Sequence, residues 1–520
     1  MTELPIPALG APRSSAPTPP DAEHSRNARL RRADWRYLLP DAAPARALCL
    51  AGAALRESCG VVASRVDDVP HAGVAYDLVV AENPDESSLR ALAAAMRPDG
   101  ACYTEWTRTG LDAPRRLRRA LQRAGFRAPR VYHAWPSAAR CEVWLPTEGA
   151  AAAHYWRNAA RSTRVRAEKL RTGVGATLAR VGLHERLGIV AVGPSAPTAP
   201  QLVCLARERS APGDDWLLVT LGERVVGKVV MLTFDDAGAP GVAIKTARAP
   251  ESVRGVEREA DVLDEVHARH PMDLHGVPRV AFRALVNGAP VVGLSALTGI
   301  PLAALLTARS YGQIAEQVTD WLLAFAEPAA ALAGTSSWDR VIGPAFERFS
   351  SDFGAVVGVE RLERTRRALR ALGPLPVVCE QRDFSPWNVF DGAAGLVVLD
   401  WESGEPNGLP ALDLAYFFTH AVYYLEGAWT SGRFEEAYRI AWSPSSRVGR
   451  LNHACARRYL ARLGLGPELL PPLRLFAWVL HAHSDYLQLR ADAGAPPSDA
   501  LLRSSRFLRL FDVELEGVTA

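Results

Sequence analysis

The sequence predicts an α/β domain with a doubly wound sheet, followed by an α+β domain with a β-rich small lobe and a helical large lobe. Two observations predict this architecture. Between about residues 33 and 148, apolar runs typical of buried strands alternate with amphipathic helical segments, an order that favours a parallel sheet. From about residue 201, strand-like runs come first and helical segments follow, an order typical of α+β folds.

Composition limits the functional classes. The 520 residues are enough for about three domains, and the 48% hydrophobic content is sufficient for packed cores. With 60 basic and 57 acidic residues the net charge is +3, which argues against a dedicated nucleic-acid-binding protein. Seven scattered cysteines without a C-x-x-C pair predict neither disulfides nor a zinc site, and they fit a cytoplasmic setting. No apolar run has transmembrane length, so we expect no membrane partner.

The first 32 residues are rich in Pro, Ala and Ser and lack an apolar core segment, so we expect a disordered leader. The strand-like runs RALCLAG, YDLVVAEN and ACYTEW follow. Between the last two runs, SLRALAAAMRPDG predicts an amphipathic helix closed by Pro98 and Gly100. RLRRALQRAGF then predicts a basic helix, with further strand-like runs after it.

The order YDLVV, helix, MRPDG, strand, RAGF resembles a class I S-adenosylmethionine-dependent methyltransferase. That resemblance implies a glycine-rich turn after the first strand and an acidic residue that holds the ribose hydroxyls. Here the turn is AGAALRES, with Gly52 as its one glycine. The acidic residue would be Asp67 or Asp68, but no clear second strand places either one. We expect the domain to keep the fold without methyl transfer, and methyltransferase activity is the alternative.

Residues 154–186 predict a basic helix in which Arg157, Arg161, Arg164 and Lys169 lie near one face. This helix is interpreted either as a solvated linker or as a patch for an anionic ligand. The segment PSAPTAPQ ends the linker region.

The small lobe begins near residue 201. WLLVTLGERVVGKVVMLTF predicts paired strands around Gly222 and Gly227. GVAIKTAR predicts the next strand and carries Lys245, one of three lysines among the 60 basic residues. A helix from near residue 250 contains Glu259, and APVVGLSALTG predicts the last strand of the lobe.

The segment CEQRDFSPWNVFDGAAGLVVLDWE organises the large lobe. An apolar run at 375–378 leads to Asp383, Asn388 follows five positions later, and a second apolar run at 396–399 ends at Asp400. This pattern predicts a strand, a loop and a strand. One carboxylate can orient a hydroxyl and take its proton, and an amide with a second carboxylate offers the oxygen ligands that Mg²⁺ prefers. Such a set is suited to phosphoryl transfer, which depends on positioning and on charge neutralisation.

The loop D-x-x-x-x-N, followed by LDWE, resembles the aminoglycoside phosphotransferase and choline kinase branch of the kinase-like fold. The resemblance implies that Asp383 is the catalytic base and that Asn388 and Asp400 bind Mg²⁺. The chain departs from this family at Gln381-Arg382, where the family usually has His-Gly, whose histidine supports the loop. The resemblance also implies roles in ATP binding. Lys245 would contact the phosphates and pair with Glu259, and the loop with Gly222 and Gly227 would cover the phosphates. The backbone around Ser295 to Leu297 would contact the adenine.

The resulting hypothesis is an ATP- and Mg²⁺-dependent phosphotransferase that acts on a hydroxyl of a small molecule. The segment after Asp400 is too short to form the peptide platform of protein kinases, and it contains no A-P-E. Two further residues have expected structural roles: Asp413 caps a helix or braces the loop, and His420 is a packed core residue. A scaffold built from degenerate domains is the alternative. Four acids have two possible interpretations. They either line an acceptor site for an amino-bearing alcohol or sugar, or they lie on the surface. These acids are Glu402, Glu405, Glu426 and Asp485.

The domain boundaries expected from these patterns are 1–32 for the leader, 33–148 for the methyltransferase-like domain, 149–200 for the basic helical linker, 201–298 for the small lobe and 299–520 for the large lobe.

Overall fold

The computed structural model of the chain describes residues 21–107, 113–135, 138, 141–162, 187–193, 195–210, 213–220, 227–270, 274–326, 336–493 and 495–518. Within these ranges the chain forms two compact units. Unit 1 contains Pro20–Val256 and Val280–Ala296, and unit 2 contains Glu257–Arg279 and Leu297–Ala520. Most of the expected leader lies outside the described residues, but its last part forms a helix, Asp21–Arg32, in which Arg31 and Arg32 are buried.

The α-helices are α1 (Asp21–Arg32), α2 (Ala53–Val62), α3 (Glu86–Ala95), α4 (Ala113–Arg123), α5 (Ala150–Ser162), α6 (Gln201–Arg209), α7 (Val253–Arg269), α8 (Leu302–Leu305), α9 (Tyr311–Ala326), α10 (Gly343–Val357), α11 (Val359–Arg370), α12 (Leu412–Leu425), α13 (Ala428–Ser431), α14 (Phe434–Trp442), α15 (Arg447–Arg462), α16 (Leu470–Ala493), α17 (Asp499–Arg503) and α18 (Arg506–Val518). Short 3₁₀ turns span Asp34–Leu38, Pro250–Ser252 and Pro467–Leu469, and a π turn spans Trp338–Ile342.

The strands are β1 (Arg46–Leu50), β2 (Arg65–Asp67), β3 (Tyr76–Glu82), β4 (Met96–Trp106), β5 (Arg127–Trp135), β6 (Val143–Pro146), β7 (Leu187–Val192), β8 (Asp215–Val219), β9 (Lys228–Phe234), β10 (Pro240–Ala247), β11 (Val280–Val286), β12 (Ala289–Ser295), β13 (Ile300–Pro301), β14 (Val378–Glu380), β15 (Val389–Gly392), β16 (Gly395–Val398) and β17 (Glu405–Gly408).

Unit 1 is built on one 12-stranded sheet in the order β11-β12-β10-β9-β8-β6-β5-β7-β4-β3-β1-β2. The four strands β2, β1, β3 and β4 are parallel to one another. Every other pairing in the sheet is antiparallel. The sheet is therefore mixed, whereas the sequence pattern favoured a parallel sheet for the N-terminal domain. The difference arises because β7 inserts between β4 and β5 in the opposite direction.

Side chains of the parallel strands alternate between two cores. Ala47 and Cys49 of β1 pack with Leu55 and Cys59 of α2. On the other face, Leu48 belongs to a core that includes apolar residues of α3 and α4. This alternation follows from the period of two along a strand. Helices thus cover both faces here, and a complete doubly wound domain stays a prediction.

Helix α3 begins where its sequence supplies a cap. The Asp85 carboxylate accepts the backbone N–H of Ser88 at 2.7 Å, which satisfies one of the free amides of the first turn. The helix ends at Ala95, and the chain enters β4 at Met96, before Pro98 and Gly100. The predicted helix therefore ends several residues earlier than expected, because Met96 already pairs with Tyr76 in β3.

The second strand that the sequence pattern did not reveal is present as β2. Its Asp67 accepts hydrogen bonds from Arg46 Nε at 2.7 Å and from Arg65 Nε at 3.4 Å. Asp68 lies 3.5 Å from Arg56. The two candidate ribose-binding acids are thus each engaged with arginine side chains.

The expected boundaries near residues 148 and 200 lie between strands that belong to the same sheet. Val143 and Trp144 of β6 pair with Val219 and Leu218 of β8, which joins the N-terminal strands to those of the small lobe. The expected linker contributes α5 and β7, while residues 163–186, including Arg164 and Lys169, lie outside the described residues. The domain boundaries remain predictions, but the strands that flank these two boundaries, β6 and β7 in one case and β7 and β8 in the other, belong to one sheet.

A buried ion pair ties the start of the described chain to the end of β10. Arg248 Nε lies 3.0 Å from Asp34 Oδ2, and the two side chains are 1% and 0% exposed. Arg36 Nη2 donates to the carbonyl of Arg248 at 2.9 Å, and the Tyr37 hydroxyl donates to that of Ala247 at 3.0 Å. Both partners in each contact belong to unit 1.

Unit 2 is mainly helical and holds two small sheets. Strands β13, β15 and β16 form one sheet, and β14 pairs with β17 in the other. The apolar helices α12 and α16 lie in the core of this unit, and the residues Leu412 to Tyr423 of α12 are all buried. Among the described helices, none is both long enough and apolar enough to cross a membrane.

Candidate active site

The loop between β14 and β15 carries two of the predicted site residues. The Asp383 carbonyl accepts the N–H of Ser385 at 2.7 Å, and the Ser385 carbonyl accepts the N–H of Asn388 at 2.9 Å. These turns bring Asn388 back to Asp383, and β15 begins directly afterwards. The strand β15 was not expected from the sequence; it pairs with β16, whose apolar residues were predicted.

Asn388 is hydrogen-bonded to the predicted base. Its Nδ2 donates to Asp383 Oδ2 at 2.8 Å and to the Asp383 carbonyl at 3.0 Å. The Asn388 carbonyl in turn accepts the N–H of Leu399 at 3.0 Å. Because the amide nitrogen faces Asp383, the amide oxygen points away from it, and an oxygen is the atom that a hard cation requires.

The environment of Asp383 favours its neutral form. Burial, and then the nearby Asp400 carboxylate, raise the pKa of Asp383 to about 7. Interactions with Tyr416 and Asn388 oppose this rise in pKa. Asp383 and Asp400 are 17 positions apart in the sequence, but Gln381 is hydrogen-bonded to the backbone of both residues. A carboxyl group with a pKa near 7 can accept a proton at neutral pH and release it again.

Asp400 follows β16 in a restricted backbone conformation. Its φ is 64°, and Arg382, which precedes Asp383, has a φ of 65°. The left-handed region is uncommon for residues other than glycine and is found often at functional sites. The next residue, Trp401, is fully buried, and its indole Nε1 donates to the Val398 carbonyl at 2.9 Å. The buried indole fixes the turn that carries Asp400.

Gln381 connects the Asp383 loop to the Asp400 segment. Its Nε2 donates to the carbonyls of Asp400 at 2.6 Å and Leu399 at 3.1 Å. Its Oε1 accepts the N–H of Asp383 at 2.9 Å, and the side chain is fully buried. A glutamine can make these three bonds at once because its amide has both a donor and an acceptor end.

Asp413 braces the loop from helix α12. Its carboxylate accepts the N–H of Gln381 at 2.7 Å and the N–H of Arg382 at 2.9 Å. The residue before the helix, Ala411, forms no side-chain cap. Of the two expected roles, bracing of the loop is therefore the observed one. Burial, and then the nearby Glu380 carboxylate, raise the pKa of Asp413 to about 7.

Glu259 reaches the same region from helix α7. It is 1% exposed, and its Oε1 accepts the N–H of Trp401 at 3.2 Å. Both residues belong to unit 2. Glu259 thus helps to hold the segment that follows Asp400, and its pairing with Lys245 stays a prediction.

Lys245 and Gly227, which were predicted to contact the phosphates of ATP, belong to unit 1. Lys245 is half-buried in β10, opposite Val230 and Val292. Gly227 directly precedes β9, and its carbonyl accepts the N–H of Arg248 at 3.1 Å. Gly222 lies outside the described residues.

The predicted adenine contact begins at the end of β12. Ser295 is the last residue of β12, and the following N–H, of Ala296, donates to the Gly241 carbonyl at 3.2 Å. Leu297 is half-buried and belongs to unit 2. The roles of Ser295 and Leu297 in nucleotide binding remain predictions.

Two contributors to the site were missed in the sequence. Tyr416 lies three residues after Asp413 in α12 and lowers the pKa of Asp383, against the larger effect of burial. Gln381 was regarded as a departure, and its bonding shows how it supports the loop. The position of Tyr416 one helical turn after Asp413 is the signal that was available. His420, expected to be a core residue, is fully buried, and its Nδ1 lies 3.0 Å from the Tyr416 carbonyl.

No protein-family model and no curated protein sequence matches this chain. Solved structures do match it. The chain is similar to kinase-like phosphotransferases. One match is an aminoglycoside phosphotransferase from Streptomyces rimosus, with 16% identity, a TM-score of 0.32, and coverage of 54% of this chain and 92% of that chain. Another is a choline/ethanolamine kinase family protein from Mesorhizobium loti, with 15% identity, a TM-score of 0.30, and coverage of 58% and 92%. A glucosamine kinase matches with 16% identity, a TM-score of 0.33, and coverage of 63% and 87%.

Proposed function

We propose that this protein is an ATP-dependent phosphotransferase that moves the γ-phosphoryl group of ATP to a hydroxyl of a small molecule. The observation that carries the proposal is the assembly of Asp383, Asn388 and Asp400 at one place in unit 2. Gln381 and Asp413 hold this assembly through hydrogen bonds to its backbone. A turn with acidic ends and no catalytic role would not require such a network.

The donor set fits a magnesium ion. Asn388 and Asp400 would hold it through an amide oxygen and a carboxylate oxygen. Mg²⁺ in nucleotide sites takes few protein ligands, because phosphate and water oxygens complete its shell. In the described part of the chain no group of three or more His, Cys, Asp or Glu side chains could hold a metal, so an all-protein metal cage is not expected there. When bound, Mg²⁺ supplies neutralisation of the phosphate charge.

In the proposed reaction Asp383 takes the proton of the acceptor hydroxyl. The acceptor oxygen forms a bond to the γ-phosphorus, the bond from that phosphorus to the bridging oxygen breaks, and ADP leaves with that oxygen. Asn388 fixes one carboxylate oxygen of Asp383 and so orients the base. The proposal includes the role that the sequence predicted for Lys245, which is contact with the phosphates of ATP. No step requires an oxidant or a covalent enzyme intermediate.

The alternatives have less support. Two sequence features favoured a scaffold, the missing glycines of the N-terminal turn and Gln381. The three hydrogen bonds of Gln381 instead support an ordered loop around Asp383. For methyl transfer, the Gly52 N–H already donates to Glu82 Oε2 at 3.3 Å. Asp67 is bonded to Arg46 and Arg65. No observation favours S-adenosylmethionine binding at this turn.

The proposal is tested with Asp383→Asn and with metal-ligand variants. Asp383→Asn should keep Mg²⁺-ATP binding in calorimetry and lose phosphoryl transfer by a factor on the order of 10² to 10⁴, as expected for loss of a general base. Asp400→Ala should weaken Mg²⁺-dependent ATP binding more than Asn388→Ala, because a charged ligand contributes more to holding a dication. Asp391→Asn, which changes an exposed acid in β15, is the control. Unchanged turnover in Asp383→Asn, or absence of Mg²⁺-ATP binding by the unaltered chain, would contradict the proposal.

A further inference from the structure

A group of aromatic side chains lies beside the Asp383 loop, here called the aromatic surface: Trp387, His420, Tyr423, Tyr424 and Trp429. Trp387 belongs to the loop itself, and its ring centroid lies 5.3 Å from that of His420 and 5.8 Å from that of Trp429. The rings of Tyr424 and Trp387 are 6.1 Å apart. Trp387, Tyr424 and Trp429 are partly exposed, so the surface is accessible beside the proposed base.

Several polar atoms of this region have no hydrogen-bond partner within the described part of the chain. Among them are His420 Nε2, Tyr423 Oη, Trp429 Nε1 and, in the loop, Ser385 Oγ. The side chains of His420, Tyr423 and Ser385 are buried by at least nine-tenths. Buried polar groups are usually paired, so a cluster of unpaired ones beside a catalytic loop indicates a place where a ligand supplies the partners.

Arg506 of α18 gives the aromatic surface a positive charge. Its guanidinium lies 4.8 Å from the ring centroid of Trp429 and 4.7 Å from that of Phe507. No carboxylate within the described ranges forms an ion pair with it. Arg506 also acts on His420, another member of the aromatic surface. Burial, and then the charge of Arg506, lower the pKa of His420 well below its ordinary value. His420 is therefore neutral, and Arg506 supplies a positive charge at this surface.

The four acids that were interpreted either as a lining of the acceptor site or as surface residues differ in their surroundings. Glu405 lies 3.6 Å from Arg258 and 3.7 Å from Arg382. Asp485 accepts a hydrogen bond from Ser505 at 3.0 Å, and Glu426 is exposed. The fourth acid, Glu402, helps to raise the pKa of Asp383, after the larger effects of burial and Asp400. These contacts do not favour the expected site for an amino-bearing acceptor.

We propose that the acceptor is a flat hydroxyl compound that carries an anionic group, with its ring packed on Trp387 and Trp429 and its anionic group bound by Arg506. This inference rests on the proposed function and specifies its substrate class. Aromatic side chains pack well on flat ring systems. A guanidinium forms strong, charge-assisted hydrogen bonds with carboxylates.

Three probes of the same shape test the proposal: 3-(4-hydroxyphenyl)propionate, tyrosol and tyramine, which carry an anionic, a neutral and a cationic end. Binding to the full chain is measured by calorimetry without nucleotide. The propionate should bind about tenfold or more tightly than tyrosol, the effect expected for one charge-assisted hydrogen bond, and tyramine should bind most weakly. With labelled ATP and Mg²⁺, the same order should hold for transfer.

Arginine variants show whether Arg506 is responsible. Arg506→Gln should remove the preference for the propionate over tyrosol, and Arg506→Lys should retain much of it. Arg439→Gln, which removes an equal charge from an exposed position of α14, should leave the preference unchanged. The melting temperature of each variant shows whether it is folded.

The results separate this inference from the proposed function. Tightest binding of tyramine, binding of no probe, or a preference that persists in Arg506→Gln would overturn the inference even if the chain binds Mg²⁺-ATP. Failure to bind Mg²⁺-ATP would overturn the proposed function, whatever the probes do.

Discussion

Gln381 shows how one side chain can support a catalytic loop in place of another. Gln381 stands where the family that the sequence resembles usually has a histidine, which supports the loop. A glutamine amide offers two N–H donors and one oxygen acceptor, and here both ends are used on backbone groups. One buried side chain is therefore bonded both to the loop that carries Asp383 and to the segment that carries Asp400.

Gln381→Glu should separate these two segments. A carboxylate has nearly the same shape, but it cannot donate to the carbonyls of Leu399 and Asp400. We expect a loss of roughly 1 to 3 kcal/mol in the free energy of unfolding, as for buried acceptors left unpaired, together with weaker Mg²⁺-ATP binding. Denaturant unfolding and calorimetry measure the two effects. Gln488→Glu, at an exposed position of α16, is the matched control. Equal ATP affinity in Gln381→Glu and the unaltered chain would contradict this role.

The raised pKa of Asp383 has a consequence for stability. In the unfolded chain this carboxyl ionises near its ordinary pKa of 3.8, whereas in the folded chain burial, and then Asp400, raise the pKa to about 7. Between these two values the folded chain holds a proton that the unfolded chain has lost. The stability contributed by Asp383 is thus present below pH 4, falls as pH rises from about 4 to 7, and is absent above pH 7.

Asp383→Asn removes this dependence, because its amide does not titrate. The stability of the variant relative to the unaltered chain should rise by on the order of 1 to 3 kcal/mol between pH 5 and pH 8. Denaturant midpoints at both pH values, without Mg²⁺ and nucleotide, measure the change. Asp391→Asn should show no such trend, since Asp391 is exposed. A pH-independent difference would show that Asp383 titrates at its ordinary pKa.

At the scale of elements, helix α12 is the support of the catalytic loop. Asp413 in its first turn accepts two loop amides, and Tyr416 one turn later approaches Asp383. The helix can hold both contacts because residues three apart lie on one face. The position of the loop therefore depends on the position of a buried helix.

Asp413→Asn should loosen this support. An asparagine can accept one loop amide through its oxygen, but its NH₂ group faces the other amide unfavourably. We expect roughly 1 to 3 kcal/mol less stability and a lower rate of phosphoryl transfer. Asp499→Asn, in the first turn of α17, is the control with a similar effect on helix charge. If both variants retain full turnover, α12 does not position the loop.

The sequence was informative about elements with long apolar runs and less so about short ones. The run at 396–399 predicted β16, which spans Gly395–Val398, whereas the run at 375–378 shares only Val378 with β14. The site residues of the motif between them stay predictions. Strand β2 has only three residues, two of them charged, so no run of apolar residues marks it. Strand β15 follows Asn388 without a break and is recognisable only from its pairing with β16. Their formation depends on neighbouring strands, which a local pattern does not include.

At the scale of the whole molecule, the sequence suggested separate N-terminal and small-lobe domains, and the strands of both lie in one sheet. The junction is the pairing of β6 with β8, which are about 70 residues apart in the chain. Such a pairing leaves no local signal, because both strands have the same apolar pattern that they would have in separate sheets. The Asp34–Arg248 pair adds a buried contact between residues 214 positions apart.

A chain of residues 201–520 tests whether the small lobe is independent. It would lack the β6 partner of β8, and Arg248 would be left without Asp34. Loss of one partner of a buried ion pair costs about 3 to 5 kcal/mol, so we expect this fragment to melt at a lower temperature or to aggregate. A chain of residues 21–520 keeps all the described contacts and is the control. A soluble, monomeric 201–520 fragment with the melting temperature of the full chain would show that the lobe folds alone.

Lys245 of β10 is one of very few lysines in the chain, and this scarcity has a chemical consequence. The only lysines of the chain are Lys169, Lys228 and Lys245, since arginine supplies the other basic residues. Guanidinium groups do not react with amine-directed acylating reagents under conditions that modify lysine. Such a reagent thus has only three lysine side chains to attack, and a peptide mass map resolves each of them. Protection of the Lys245 peptide by nucleotide would report occupancy at that strand without any introduced label.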